Sequence, residues 1–173
     1  MNLIITCARH LESETTIELS EILELFGDES SEIFRTGMSG VLTAKTKLDP
    51  FEVIRKIREK INDEPWSIRY CLRVIPIERV VETNFEEILS EVLSLMKKVS
   101  ENETYRITIE KRNSDISSTE IISKIADNIS NKVSLEEPDW IALIEILDKK
   151  TGISVLKNDD IFSLELSKRG LLE

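Results

Sequence analysis

The stretch "LDPFEVIRKIREKI", residues 48–61, fixes one helix and with it the order of what surrounds it. Asp49 can cap, Pro50 suits the first helical position, and Glu52 can return a hydrogen bond. Phe51, Ile54, Ile57 and Ile61 supply a buried stripe. On both sides of this helix the apolar pattern shortens to strand-like runs. "SEIFRT" and "GVLTAKT" come before it, linked around Gly37 and Gly40. "SIRYCLRVIPI" comes after it as a long strand, with Ile68, Tyr70, Leu72 and Val74 on one face and Arg69, Cys71 and Arg73 on the other. "NLIITC" opens the chain as a buried strand. Residues 13–26 follow as a helix with Ile17, Leu23 and Phe26 among its core candidates. Strand, helix, strand, strand, helix, strand is the order of a ferredoxin-like βαββαβ domain, expected over residues 1–80. Pro76 and the charged stretch after it form the join.

Residues 81–173 make a second α/β module, so the whole reads as α/β (α+β). A helix is expected over 84–99, where Phe85, Ile88, Leu89, Val92, Leu93 and Met96 recur at helical spacing. "TYRITIEK" alternates as a strand. A helix follows, running to about Ser130 on Ile121, Ile122, Ile125 and Ile129. "DWIALIEIL" and "ISVLK" are two more strands, with "DKKTG" as the turn between them.

The formal charge is -10, but it is unevenly placed. From Glu12 to Glu32 there are eight acids and no Lys or Arg, and these account for most of the deficit. The remainder is nearly balanced, so a local basic face is compatible with an acidic chain. Evenly spread acids on the first helix mark a solvated, solubilising face. The apolar runs are too short to span a bilayer, and "MNLIITC" has no basic segment before a long apolar one, so neither a membrane partner nor a secretory leader is expected. Two cysteines, Cys7 and Cys71, lie in strand-like runs without CxxC spacing. They point to reduced thiols in a cytoplasmic protein.

Catalytic apparatus is not expected. His10 is the only histidine, which excludes multi-histidine metal sites and leaves one candidate for a nucleophile–histidine pair. It reads as a surface residue just after the first strand. Five scattered glycines match no phosphate-binding fingerprint. No metal, cofactor or catalytic residue is assigned.

"EKRNSDISSTEII", residues 110–122, carries a local signal. Ser117 and Glu120 have capping-box spacing, and Ile116 with Ile121 fits a hydrophobic staple, which places a helix start close to Ser118. Exposed N–H groups and the positive dipole end make such a start attractive to phosphate. Lys111 and Arg112 lie just before it, with Asn113 and Ser114 as neutral donors. The pattern alone admits two readings, a capped turn, which is the commoner motif, or a phosphate-binding edge.

The ordered set "YRITIEKRNSDISSTEIISKIA", "NKVSLEEPDWIALIEIL" and "GISVL" resembles the THUMP family, RNA-binding modules of tRNA-modifying enzymes, over roughly residues 84–157. The V-x-L-x-x-P-D segment falls at Val133, Leu135, Pro138 and Asp139. "TGMSGVLTAKTKLDPFEVIRKIRE" and "CLRVIPIER" are similar to the N-terminal region of THUMP proteins that assist tRNA cytidine acetylation without a catalytic domain. The resemblance implies a THUMP-like RNA-binding domain over 81–173. It also implies RNA contact at Lys111 and Arg112, which match the basic strand end, and at Arg73, which matches the arginine before Ile-Pro. Arg69 is added because it shares a strand face with Arg73, and Lys149, Lys150 and Lys157 by position and charge.

These readings lead to a noncatalytic tRNA-binding adaptor, with tRNA and a separate RNA acetyltransferase or other tRNA-modifying enzyme as partners and with no DNA. Recognition is expected to be of shape and ends. Two alternatives stay open. One is an RNA-binding subunit contributing to a tRNA thiolation, methylation or deamination enzyme; the other is a protein-assembly module without RNA.

Overall fold

The computed structural model describes residues 1–172. It divides into two compact units, the first Met1–Ile77 with the segment from Asp159 onward, the second Glu78–Asn158.

In the first unit the elements are Leu3–Thr6 (β1), Glu12–Leu25 (α1), Glu32–Arg35 (β2), Val41–Lys45 (β3), Pro50–Asp63 (α2) and Arg73–Pro76 (β4). Their sheet order is β2-β3-β1-β4, antiparallel throughout. That is the ferredoxin-like arrangement expected from the pattern of strands and helices. The Asp49 side chain accepts from the Phe51 and Glu52 N–H groups, so α2 begins where its cap signal lies. Glu52 pairs with Arg55 instead of returning a bond to the cap. Leu3, Ile5, Leu19, Leu42, Ile57 and Val74 are central to the core beneath the helices. Leu23 is buried and Phe26 packs against the core as expected, but Ile17, expected there too, is exposed, and Leu19 and Ile22 face inward instead.

Two departures change the picture of this unit. The expected long strand from Ser67 is only four residues, because the Glu18 carboxylate takes the N–H groups of the segment before it. Arg69 N–H donates at 2.8 Å, Tyr70 at 3.0 Å and Cys71 at 2.9 Å. The alternation of faces fails with it: Cys71 is buried and Leu72 exposed. The tail, expected in the second domain, returns to this sheet. Phe162–Ser163 form a fifth strand (β9) against β4, and Leu164–Gly170 form a short helix (α5). Phe162 and Leu164 join the first core, and that burial holds the tail here.

The acids of α1 and its exit are more than a solvated face. Glu12 Oε1 accepts from the Gly40 N–H at 2.8 Å, which holds its pKa below the usual carboxylate range. Gly40 is left-handed (φ 74°), and an added Cβ would lie 2.6 Å from the Cys7 carbonyl oxygen. Asp28 is buried. Burial raises its pKa, but hydrogen bonds from the Thr46 hydroxyl, the Lys47 N–H and both donors of Ser30 outweigh it and hold it at about 2.

The second unit contains Arg79–Glu82 (β5), Phe85–Met96 (α3), Tyr105–Arg112 (β6), Ser118–Asp127 (α4), Trp140–Leu147 (β7) and Lys150–Leu156 (β8). The sheet order is β5-β8-β7-β6, with β6 and β7 parallel and the other pairs antiparallel. Its core lies between the sheet and α3 and α4, built on Ile88, Val92, Tyr105, Ile125, Ile144 and Val155. β5 occupies the stretch expected to be a join. Ile122 is exposed where a core position was expected, and α4 stops at Asp127. The β7–β8 turn is shorter than expected: only Asp148 and Lys149 separate the strands.

Candidate nucleic-acid interface

Strand register brings one set of predicted residues together. β6 and β7 run parallel and end side by side, Arg112 opposite Leu147. β8 starts there, with Lys150 paired to Leu147 and to Glu82, the last residue of β5. The segment Lys111–Ser114, Lys149 of the β7–β8 turn and Lys150 at the start of β8 therefore share one end of one sheet.

Two left-handed residues tie these segments together. Asn113 has φ 56° and Asp148 φ 57°, conformations that Asn and Asp tolerate better than other side chains. Asn113 Nδ2 donates to Asp148 Oδ1 at 3.0 Å, and the Asp148 N–H donates to the Arg112 carbonyl at 3.0 Å. Asn113 thus spends a donor on the fold. Ser114 Oγ accepts from the Ile116 N–H at 3.3 Å, closing the turn into α4.

Helix α4 opens at the same place. Ser117 caps it, its Oγ accepting from the Glu120 N–H at 3.2 Å, and Ser118 is the first helical residue. The capped turn is therefore real, and it leaves other first-turn N–H groups and the positive dipole end at the sheet's edge. α3 also begins at this end, after the Asn84 cap. Its first turn carries Glu86 and Glu87, and Glu87 accepts from the Glu82 N–H, so that mouth repels anions. Its sequence signal is the Asn84–Glu87 spacing, Asn84 Oδ1 accepting from the Glu87 N–H at 2.9 Å.

The cations differ in how much of their binding capacity remains. Lys111 is exposed and gives one of its three donors to the Ile116 carbonyl at 2.9 Å. Arg112 is held inward, its Nη1 at 2.9 Å from Oε2 of Glu145, whose side chain is fully buried. Lys150 is paired with Glu82. Lys149 is exposed at the tip of the turn.

Lys157 is not part of this cluster. It follows β8 at the opposite end of the sheet, about 20 Å away along a seven-residue strand. There its Nζ lies 5.0 Å from the centre of the Trp140 ring. Arg69 and Arg73 belong to the first unit. Arg69 is exposed in the Glu18-held segment, and Arg73 opens β4 between Thr6 and Ser163. Among the described residues, no three His, Cys, Asp or Glu side chains are grouped so as to hold a metal ion. No helix among them is long and apolar enough to cross a membrane.

The sheet end and both helix mouths lie within residues 82–156, which match the model of the THUMP domain. The chain carries a THUMP domain. It is 32% identical over 113 residues to the THUMP domain-containing protein 1 homolog of Drosophila melanogaster, covering 61% of this chain and 34% of that protein. The chain spans about a third of the length of the curated relatives it matches. A crystal structure of a Pyrococcus horikoshii protein superposes with a TM-score of 0.65 at 22% identity, covering 91% of this chain and 55% of that one. A 4-thiouridine synthetase solved in complex with RNA and ATP superposes with a TM-score of 0.53 at 13% identity, covering 91% of this chain and 42% of that one. At these identities the two structures share the fold with this chain, across both of its units. The cluster at Lys111, Lys149 and the mouth of α4 lies inside the THUMP domain.

Proposed function

We propose that this chain is a noncatalytic tRNA-binding adaptor whose THUMP domain grips phosphate at the sheet end formed by Lys111, Lys149 and the N-terminus of α4, and which presents the bound tRNA to a separate modifying enzyme, an RNA cytidine acetyltransferase. The observation that carries this reading is the convergence of two exposed lysines on a capped helix mouth, fixed by the Asn113–Asp148 latch. Lysine ammonium groups and helix N–H donors suit a phosphate backbone, and neither reads a base. Arg112 and Lys150 serve the site differently, neutralising Glu145 and Glu82 so that these carboxylates do not repel the ligand. The noncatalytic part of the reading is supported by the same chemistry, since the groups gathered here bind and orient. The resemblance of the first unit to the acetylation-assisting subfamily supports the choice of partner, and the likeness to the THUMP domain-containing Drosophila protein supports the domain that would hold the RNA.

The test is a titration of folded tRNA against the chain and against Lys111→Ala/Lys149→Ala, a pair that leaves Glu145 neutralised. Weakened binding with a shallower salt dependence is expected; equal affinity would remove the sheet end from the interface. Nucleoside mass analysis of tRNA incubated with the chain alone, then with an RNA acetyltransferase, tests the adaptor role. A modified nucleoside made by the chain alone would overturn it.

A further inference from the structure

The outward side of the first unit combines acid with exposed apolar surface. Ile17 is 60% exposed, Leu25 66% and Trp66 67%. Ile17, Glu21 and Leu25 follow one another at i, i+4 spacing along α1. Leu25 forms the shared lip of two adjoining depressions, of about 330 and 400 Å³, between α1 and α2. Ile22 and Phe26 contribute to their walls, and Ser67, next to Trp66, lines the first. Glu18 holds this rim: it also lines the first depression, and its carboxylate accepts from three successive N–H groups of the segment after Trp66.

The charges around the groove are one-sided. Its two lysines are already engaged, Lys60 with Glu64 at 3.3 Å and Lys56 over the Phe26 ring at 5.7 Å. Among the described residues, Glu21, Glu24, Glu59 and Asp63 form no ion pair. Single exposed apolar residues are ordinary, but an aromatic and two aliphatic side chains beside a preformed groove have the composition of interface anchors. The field then decides the occupant. Nucleic acid is repelled, and a second copy facing this one would bring the same acids against each other. A protein segment bearing Lys or Arg is attracted, and a groove between two helices accepts a helix.

We propose that the groove between α1 and α2 docks a basic, amphipathic helix of a partner protein, with apolar anchors at i, i+3/4 and i+7 against Leu25, Ile17 and Trp66 and with cations over Glu21, Glu24, Glu59 and Asp63. This surface is independent of the RNA-binding reading.

The experiment uses the full chain and a fluorescent peptide of about 18 residues, five helical turns, made of Leu and Lys at amphipathic spacing. Controls are a scrambled Leu/Lys peptide and a Leu/Glu peptide with the same spacing. The basic amphipathic peptide is expected to bind and the controls to bind at least about tenfold more weakly. Leu25→Ser, Trp66→Ala and Glu21→Lys/Glu24→Lys each weaken it by roughly tenfold. Glu136→Lys/Glu137→Lys, in the second unit, leaves it unchanged. Circular dichroism of each variant separates lost binding from lost folding. Equal binding by the scrambled peptide, or equal weakening by the Glu136/Glu137 pair, would reduce the attraction to net charge and overturn the proposal. A dimer abolished by Leu25→Ser would overturn it in favour of a second copy. Weaker tRNA binding by Leu25→Ser/Trp66→Ala would do so in favour of RNA.

Discussion

Arg112 and Glu145 form a salt bridge across neighbouring parallel strands, Nη1 to Oε2 at 2.9 Å, with the acid fully buried and the arginine partly exposed. An arginine at the end of a strand near a helix mouth invites assignment as a ligand contact, yet this one is committed to a buried charge. Removing it takes the cation away from a buried carboxylate, which costs about 3–5 kcal/mol for a buried pair broken on one side. Arg112→Ala is therefore expected to lower the urea midpoint sharply, while Arg112→Ala/Glu145→Gln recovers much of the loss. If the double variant is no more stable than the single one, the pair is not what the arginine supports.

Glu18 carries a second structural burden that composition hides. Its carboxylate receives the N–H groups of Arg69, Tyr70 and Cys71 and replaces a sheet ladder there. Glu18→Ala leaves three donors to find water or go unmet, at roughly 2–4 kcal/mol for hydrogen bonds to a charged group. Hydrogen exchange of the amides at 69–71 is expected to accelerate beyond the global change, and unaltered protection there would refute the role.

Asp28 makes part of the stability dependent on acid. Its ordinary pKa of 3.8 falls to about 2 in the fold, so the folded state favours the charged form. The stabilisation is fully present above pH 3.8 and is lost as pH falls through about 2. Asp28→Asn is expected to be less stable at neutral pH, with the gap to the parent closing towards pH 2. Urea denaturation across that range checks it; a gap that stays constant would mean that ionisation of Asp28 is not linked to folding.

What the sequence revealed, and what it hid, divides along the range of the interactions. Asp49 and Ser117 cap helices where expected because a cap is set by residues within one turn. The first sheet's order followed from element order. The shortened β4 did not, since Glu18 acts from about fifty residues away, and nothing local to Arg69–Cys71 announces it. β5 and β9 are short edge strands whose partners are distant, Arg79 opposite Ile153 and Val74 opposite Phe162. Ile17 and Ile122 fit the helical period but fall at the margin of a buried stripe narrower than the apolar pattern. At the sheet end, Lys111 and the helix mouth were legible as neighbours in sequence. That Lys149 joins them while Lys157 lies at the other end depends on the β6–β7–β8 register, which periodicity does not encode.

That last separation allows a comparison in which the charge change is constant and only position varies. Lys149→Glu and Lys157→Glu alter the net charge identically, at opposite ends of β8. If tRNA is held at the end shared by Lys111 and the mouth of α4, Lys149→Glu weakens binding roughly three- to tenfold and lowers the slope of log affinity against log salt by about one contact. Lys157→Glu removes a cation placed over Trp140 and is expected to leave tRNA affinity within about twofold, because long-range repulsion is screened beyond about 10 Å at moderate salt. Fluorescence anisotropy at several salt concentrations measures both quantities for each variant. Equal losses would mean that binding follows the chain's overall charge, and a larger loss at Lys157 would move the interface to the opposite end of the sheet.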